Sequence, residues 1–269
     1  MTAPERTTPA GTAIRVLVLR VLTNHRNNPA LPAITLAAPA GMMLLFGFVF
    51  GGALAGGQDV VAYRSYLTPG ILVLVAATGV VATAVTAAAD LRSGLTDRIR
   101  ALPLAPVAAP AGIAAAETLI GVAALGVMGG VGFLSGWRIT AGPGEVALAV
   151  LLLVGFRFAL AWLGVALGAT IRDEQVLQQT APLIFGAIMF SNIFVPTATM
   201  PSVLAAIAEW NPVSAVVAAL RLLLADAAPA ADASWPLRHP VAASVLWIAA
   251  LLSLAVPVAV RRYSGASPR

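Results

Sequence analysis

Apolar residues run through this chain in six long blocks separated by short polar connections: 33–54, 67–89, 107–134, 146–171, 180–196 and 240–260. Within each block Ala, Leu, Val and Gly follow one another without the strict alternation of a membrane barrel strand. A helix of roughly 17–25 residues crosses the hydrocarbon core of a bilayer, so the pattern predicts six transmembrane helices. Between the fifth and last blocks lie two shorter apolar pieces, 201–210 and 212–226, broken by Asn211-Pro212. Asparagine is a good N-cap and proline a good first helical residue, so Asn211 is expected to open the second piece. At about 14 residues, and carrying Arg221, that piece is too short and too charged to span. The pair predicts a re-entrant helical hairpin over 196–226, with Pro196, Pro201, Asn211, Pro212 and Arg221 as its landmarks. Such backbone is tolerated at depth only against protein or a wet cavity.

The flanks are polar. Residues 1–10 carry two prolines and read as a disordered tail, while 11–26 reads as a helix lying along the membrane surface. At 100° per residue, Arg15, Arg20, Thr23 and Arg26 share an arc of about 140°, opposite Ile14, Leu17, Val18 and Val21. Pro29 and Pro32 predict a break before the first span. The expected architecture is all-α and polytopic: one transmembrane domain over 11–262, with an N-terminal amphipathic interfacial helix, an extracellular hairpin and a cytoplasmic tail at 263–269. Ala53-Leu54-Ala55 resembles a cleavage site, but the polar lead is too long and the first block too extended for a signal peptide, so that block is expected to be retained.

Composition strengthens the membrane reading. The chain is 59% hydrophobic and 10% charged, against about a quarter charged in soluble domains. Its net charge is +5, and all 16 basic side chains other than histidine are arginine. These arginines flank apolar blocks and form no continuous stripe, which argues against nucleic acid and for the anionic cytoplasmic leaflet. With the N-terminus inside, Arg6, Arg15, Arg20, Arg26, Arg92, Arg98, Arg100, Arg172, Arg261, Arg262 and Arg269 fall on the inner side; only Arg64, Arg138, Arg221 and Arg238 fall outside. That bias predicts two cytoplasmic termini. Tyr63, Tyr66, Trp137, Trp210 and Trp235 then sit near the outer interface, where amphipathic rings are favoured.

Missing residue types narrow the chemistry. No lysine means no P-loop and no Schiff base. No cysteine means no disulfide or thiolate nucleophile, and two distant histidines make no zinc site. No cofactor is expected in this chain. A serine hydrolase built on Ser135 and His239 would lack an orienting third group.

Two constellations remain. The connection 90–106 places Asp90, Arg92, Asp97, Arg98 and Arg100 within 11 residues. Leu95, Ile99 and Leu102 recur at helical spacing, and Pro103 and Pro106 stop the pattern, so the segment reads either as a short amphipathic helix or as a solvated turn of orienting arginines. Inside the membrane, Glu117 and Arg157 lie about 15 and 20 Å from the inner ends of the third and fourth blocks. A lone charge there costs about 2.5–3.5 kcal/mol even on a permissive scale. Adjacent antiparallel helices would let them pair, either as a structural tie or on a wet path. The pairs Gly47/Gly51, Gly126/Gly130 and Gly164/Gly168 match a close-packing motif, but with 24 glycines in the chain chance matches are expected.

Several landmarks together resemble the membrane subunits of type-2 ABC exporters, the daunorubicin-resistance permease group in particular. They are Arg26-Asn27-Asn28-Pro29 with Pro39, Leu91–Pro103 with Gly94, Arg98 and Leu102-Pro103, the stretch Phe190–Pro196, Met200-Pro201, and Asn211-Pro212-Val213 followed by Arg221. The resemblance implies an inner coupling helix over Asp90–Pro103, with Asp90, Arg92, Gly94, Asp97, Arg98, Arg100, Leu102 and Pro103 facing a separate ABC-type ATPase that carries the ATP and Mg. It also implies pairing with a second permease copy or paralogue, a plasma-membrane location and export of a hydrophobic drug-like, lipid or glycan substrate. It gives no role to Glu117 and Arg157. A self-powered secondary transporter is the alternative, and it would need these two groups at mid-membrane for ion coupling.

Overall fold

The computed structural model describes residues 15, 18–23, 30–54, 60–93, 106–225, 227 and 233–265. Among them the regular structure is all helical, and four helices are long and apolar enough to cross a membrane, or five if one bent pair counts as a single span. In chain order, α1 is Ala30–Leu44, continued by a π turn Leu45–Val49 and the turn Gly51–Leu54; α2 is Val60–Arg92, α3 Ala108–Leu134, α4 Pro143–Thr170 and α5 Glu174–Met189. After a 3-10 turn, Thr197–Thr199, come α6, Ser202–Glu209, α7, Pro212–Ala225, α8, Trp235–Arg238, and α9, Pro240–Ser264.

Local chemistry sets the ends. At the start of α4, Pro143 takes the first helical position, where its missing N–H costs nothing, and Glu145 Oε2 accepts the Gly142 N–H at 2.9 Å. Asp173 Oδ1 accepts from the N–H groups of Gln175 and Val176 at 2.8 and 3.4 Å, which opens α5. At the far end of α3, Gly136 has φ +99°; the Trp137 N–H then reaches the Gly132 carbonyl at 3.1 Å and the Gly136 N–H the Phe133 carbonyl at 3.2 Å. That left-handed residue lets the chain turn back under its own helix end.

α2 is the hub. In its most apolar stretch 72% of residues are buried against protein, compared with 17% in α9, so α2 lies central and α9 at the rim. α4 crosses α2 at Gly164 and Gly168. A Cβ on Gly164 would fall 2.6 Å from the Val80 carbonyl oxygen, and one on Gly168 would strike the Ala84 carbonyl oxygen. Only glycine permits that approach of two backbones. The expectation that this pair was a chance match is therefore corrected for Gly164/Gly168, while Gly126 and Gly130 face open space.

Four other boundaries differ from the sequence reading. The fifth block was expected to be helical over 180–196, but α5 covers Glu174–Met189 and 190–195 is bent, non-helical chain. Its apolar residues continue, yet its backbone carbonyls are held by side chains from other helices, as described below. Asp90 and Arg92 were placed in the 90–106 connection; they belong to the last turn of α2. Tyr63 and Arg64, assigned to an outer loop, lie in the first turns of α2. Residue 263, assigned to the tail, is still in α9: Tyr263 is buried and its hydroxyl donates to the Ala87 carbonyl at 3.2 Å. The rest of the coupling set, Gly94, Asp97, Arg98, Arg100, Leu102 and Pro103, lies outside the described residues, as do the tail 1–10 and most of 11–26. Of the surface helix, 18–23 is helical, with Val21 buried and Leu19 52% exposed.

Candidate functional site

Two buried arginines organise the interior. Arg157, on α4, and Glu117, on α3, are both about 3% exposed. Arg157 Nη2 lies 3.7 Å from Glu117 Oε2 but donates at 2.8 Å to the Glu117 main-chain oxygen, and Nη1 reaches the Ala76 carbonyl of α2 at 3.5 Å. Thr86 Oγ1 stands 3.2 Å from Glu117 Oε1. The guanidinium fits because α2 and α3 present glycine to it: a Cβ on Gly79 would collide with Nη1 and one on Gly121 with Nε. One cation thus ties three helices through two backbone carbonyls and a carboxylate. Removing one partner of such a pair leaves an uncompensated buried charge, at a cost of about 3–5 kcal/mol. The slot glycines were missed because nothing in sequence distinguishes them among 24.

Arg221, on α7, is 7% exposed and has no carboxylate partner among the described residues. Its Nε donates to the Tyr66 carbonyl at 3.0 Å, Nη1 to that of Asn192 at 3.0 Å and Nη2 to that of Ile193 at 2.9 Å. Its Cζ sits 3.4 Å from the Tyr66 ring centroid, a desolvated cation–π contact. Tyr66 and Tyr63 hydroxyls donate to the carbonyls of Asn192 and Phe194 at 3.1 and 3.2 Å. These bonds satisfy the carbonyls of Asn192, Ile193 and Phe194 in the stretch that has left the helix, and a buried unpaired carbonyl would otherwise be costly. The segment also presses on α2 at Gly70, where a Cβ would lie 2.8 Å from the Ile193 oxygen.

Asn211 works in both directions. Its Oδ1 accepts from the Val213 N–H at 2.9 Å, capping α7, and its Nδ2 donates to Ala187 and Phe190 carbonyls at 2.8 and 2.7 Å, closing the end of α5. Pro212 follows as the first residue of α7, and α6 and α7 meet at 75°. Pro196 precedes the 3-10 turn and Pro201 precedes α6. The structure thus gathers Asn211 and Arg221 around 190–195 at one end of the bundle, and leaves Glu117 and Arg157 as a separate cluster.

At the opposite end, Arg20 donates to both Asp90 oxygens at 3.0 and 2.9 Å, and Arg92 Nη2 donates to Glu174 Oε2 at 2.8 Å. The N-terminal helix, α2 and α5 are therefore linked at the last described turn before 94–105. Arg20 was read only as a membrane-surface and orienting charge; it and Glu174 find their partners 70 and 82 residues away. An apolar cavity of about 530 Å³ opens among α2, α4, α5, the α6–α7 pair and α9, with Phe156, Leu160, Ile184, Ile207 and Leu251 in its wall and Asn211 at its edge. That volume suits a small apolar ligand. Among the described residues no cluster of His, Cys, Asp and Glu is arranged to hold a metal ion.

Residues 12–224 match the family described as ABC-2 type transporter. The chain is also similar to the daunorubicin resistance ABC transporter permease protein DrrB1 of Streptomyces coeruleorubidus, with 33% identity over 187 residues. The match covers 69% of this chain and 65% of that relative, a little under two thirds of its length. Helices apolar enough to cross the bilayer, gathered on a glycine-packed hub and matched over most of the chain, lead to one assignment: this protein is a multi-pass membrane protein of the ABC-2 type transporter family.

Proposed function

We propose that the chain is the permease subunit of an ATP-driven exporter, with six crossings (α1 to α5 and α9) and α6–α7 as an outer re-entrant hairpin. It pairs with a second copy or paralogue and is driven by a separate ABC-type ATPase that binds ATP and Mg. Both termini face the cytoplasm and the complex sits in the plasma membrane. The single observation that carries the reading is the inner linkage of Arg20 to Asp90 and Arg92 to Glu174. It supports the reading because it joins the surface helix, α2 and α5 at the turn that leads into 94–105, the stretch that the family resemblance implies as the coupling helix. A displacement of that segment is passed to α2, the most buried helix, and through its glycine contacts to α4.

α5 has 16 residues, about 24 Å of rise, which is short of a roughly 30 Å core. The carbonyl-clamped 190–195 segment completes the crossing. The cavity of about 530 Å³ beside α5 is the place for a hydrophobic cargo, and the drug-resistance name of the relative favours a drug-like one over a lipid or a glycan. Cargo leaves past 196–226 when the joint tilts α2.

Co-expression with an ABC-type ATPase tests the partnership by co-purification. Charge reversal at Asp97 and Arg98 is expected to leave insertion intact while uncoupling ATP hydrolysis from export. Normal export by both variants would remove the coupling assignment.

A further inference from the structure

Two walls of the cavity of about 530 Å³ meet at one corner. The end of α5 brings Ala187 and Phe190 to it, and the α6–α7 bend brings Ile207, Asn211 and Val213. Asn211 spans that corner. Its Nδ2 donates to the carbonyls of Ala187 and Phe190 at 2.8 and 2.7 Å, while its Oδ1 stays on its own helix and accepts the Val213 N–H. The donor half of one amide thus fastens the two walls together, and the acceptor half caps α7.

α7 also grips the chain that follows α5 at two deeper points. Ser214 Oγ accepts the Asn192 N–H at 3.0 Å, and Arg221 holds the Asn192 and Ile193 carbonyls. Ser214 is 0% and Arg221 7% exposed, whereas Asn211 is only partly covered. Water can take over the Asn211 donations far more readily than the others, so this corner is where that end of the bundle opens at least cost. The helix can follow such an opening. Pro182 stands inside α5 and has no N–H to give the Gln178 carbonyl, which makes a hinge two turns before the helix ends. Beyond it, a Cβ on Gly186 would meet no heavy atom within 4 Å, so one side of those last turns is unobstructed.

We propose that residues 183–190 are the leaf of a gate, hinged at Pro182 and latched by the side-chain amide of Asn211. With the latch made, the cavity is shut toward 196–226. With both Nδ2 donations exchanged for water, the end of α5 swings away from α7 and the cavity opens on that side. Asn211 acts here as a positioning residue. Release of cargo by this route rests on the exporter reading, whereas the latch itself does not.

The wild-type chain has no cysteine, so Leu160→Cys places a single thiol on the α4 wall of the cavity. The full chain is held in lipid nanodiscs, a charged methanethiosulfonate is added, and mass spectrometry follows the rate of modification. With Asn211 intact the rate is expected to be low. Asn211→Asp is isosteric and still caps α7 but loses the donor, so the rate should rise about tenfold or more, the scale of two net hydrogen bonds. Adding Pro182→Ala, which returns the missing N–H to α5, should bring the rate most of the way back. A thiol placed instead by Met128→Cys, at a buried position of α3 outside the cavity, should stay unreactive throughout. The proposal is overturned if Asn211→Asp reacts at the wild-type rate, as a residue serving only as a cap would, or if the thiol at position 160 is already fast with Asn211 in place. It is overturned equally if the thiol at position 128 becomes reactive, since the whole fold has then loosened, and the hinge falls if Pro182→Ala leaves the raised rate unchanged. No readout involves cargo, ATP or a partner, so failure here leaves the exporter reading standing, and failure of that reading leaves these rates as they are.

Discussion

Arg157 and Arg221 are both buried in an apolar protein, yet each charge is accommodated differently. Arg157 sits mid-bundle with an acid 3.7 Å away and two carbonyls, in a slot cut by Gly79 and Gly121. Arg221 has three carbonyls and the face of Tyr66. The first ties regular helices that would exist without it. The second stabilises backbone that is not helical at all, because the orphaned carbonyls of 190–195 need a donor fork within reach. A guanidinium presents five N–H groups in a fixed plane, so only arginine serves the second role, whereas the first rests mainly on charge and shape.

The comparison breaks most sharply at Arg221. Arg221→Met leaves the buried Ile193 carbonyl without its donor and the Asn192 carbonyl with only the Tyr66 hydroxyl, and it removes the cation–π contact with Tyr66; at about 1–3 kcal/mol for the orphaned group and about 2 for the desolvated contact, it should destabilise the chain by several kcal/mol, and Arg221→Lys should recover little, since an ammonium cannot hold three divergent carbonyls. Loss of monodisperse protein on detergent size exclusion reads the effect, and full rescue by lysine would contradict it. At the other cluster, Arg157→Met or Glu117→Gln alone should cost about 3–5 kcal/mol, while the double variant should be closer to wild type than the sum of the singles. Thermal melting of the four proteins gives the coupling, and strict additivity would dissolve the pair. Gly79→Ala tests the slot itself, with an expected loss of about 1–3 kcal/mol from overpacking; a Gly126→Ala control, whose Cβ meets open space, should be silent. Asn211→Ala should cost about 1–2 kcal/mol as a lost cap. The smallest effect belongs to Arg20→Ala: its ion pair with Asp90 is half exposed on the arginine side, so about 1 kcal/mol or less is expected, and under the proposed function its larger consequence should be on coupling to the proposed ATPase partner.

Hydropathy made the long helices legible. Block edges at 107–134, 146–171 and 240–260 fall within a few residues of α3, α4 and α9, since apolar length and flanking Pro or Gly are local signals. Asn211 opening α7 was legible for the same reason. The end of α5 was not: Phe190, Ile193, Phe194 and Val195 are as apolar as any span, and what takes them out of the helix is Arg221 and Tyr66, 28 and 126 residues away in pairs that composition does not reveal. Glycine was ambiguous by nature. Gly164/Gly168 and Gly126/Gly130 look identical in sequence, and only the placement of α2 across one of them makes the first a contact and leaves the second facing open space. Glu117 and Arg157 were recognisable as partners from depth alone, but Arg157's donation to the Ala76 carbonyl and the Gly79 side of its slot required the third helix.

One measurement bears most directly on the exporter account. The purified chain is reconstituted in liposomes with and without a co-expressed ABC-type ATPase, the proposed partner, and efflux of a fluorescent hydrophobic cargo is followed on adding ATP and Mg or on imposing an ion gradient. The account predicts movement only with the ATPase and ATP present, abolished by charge reversal at Asp97 and Arg98. Cargo movement by the permease alone, driven by the gradient, would contradict it.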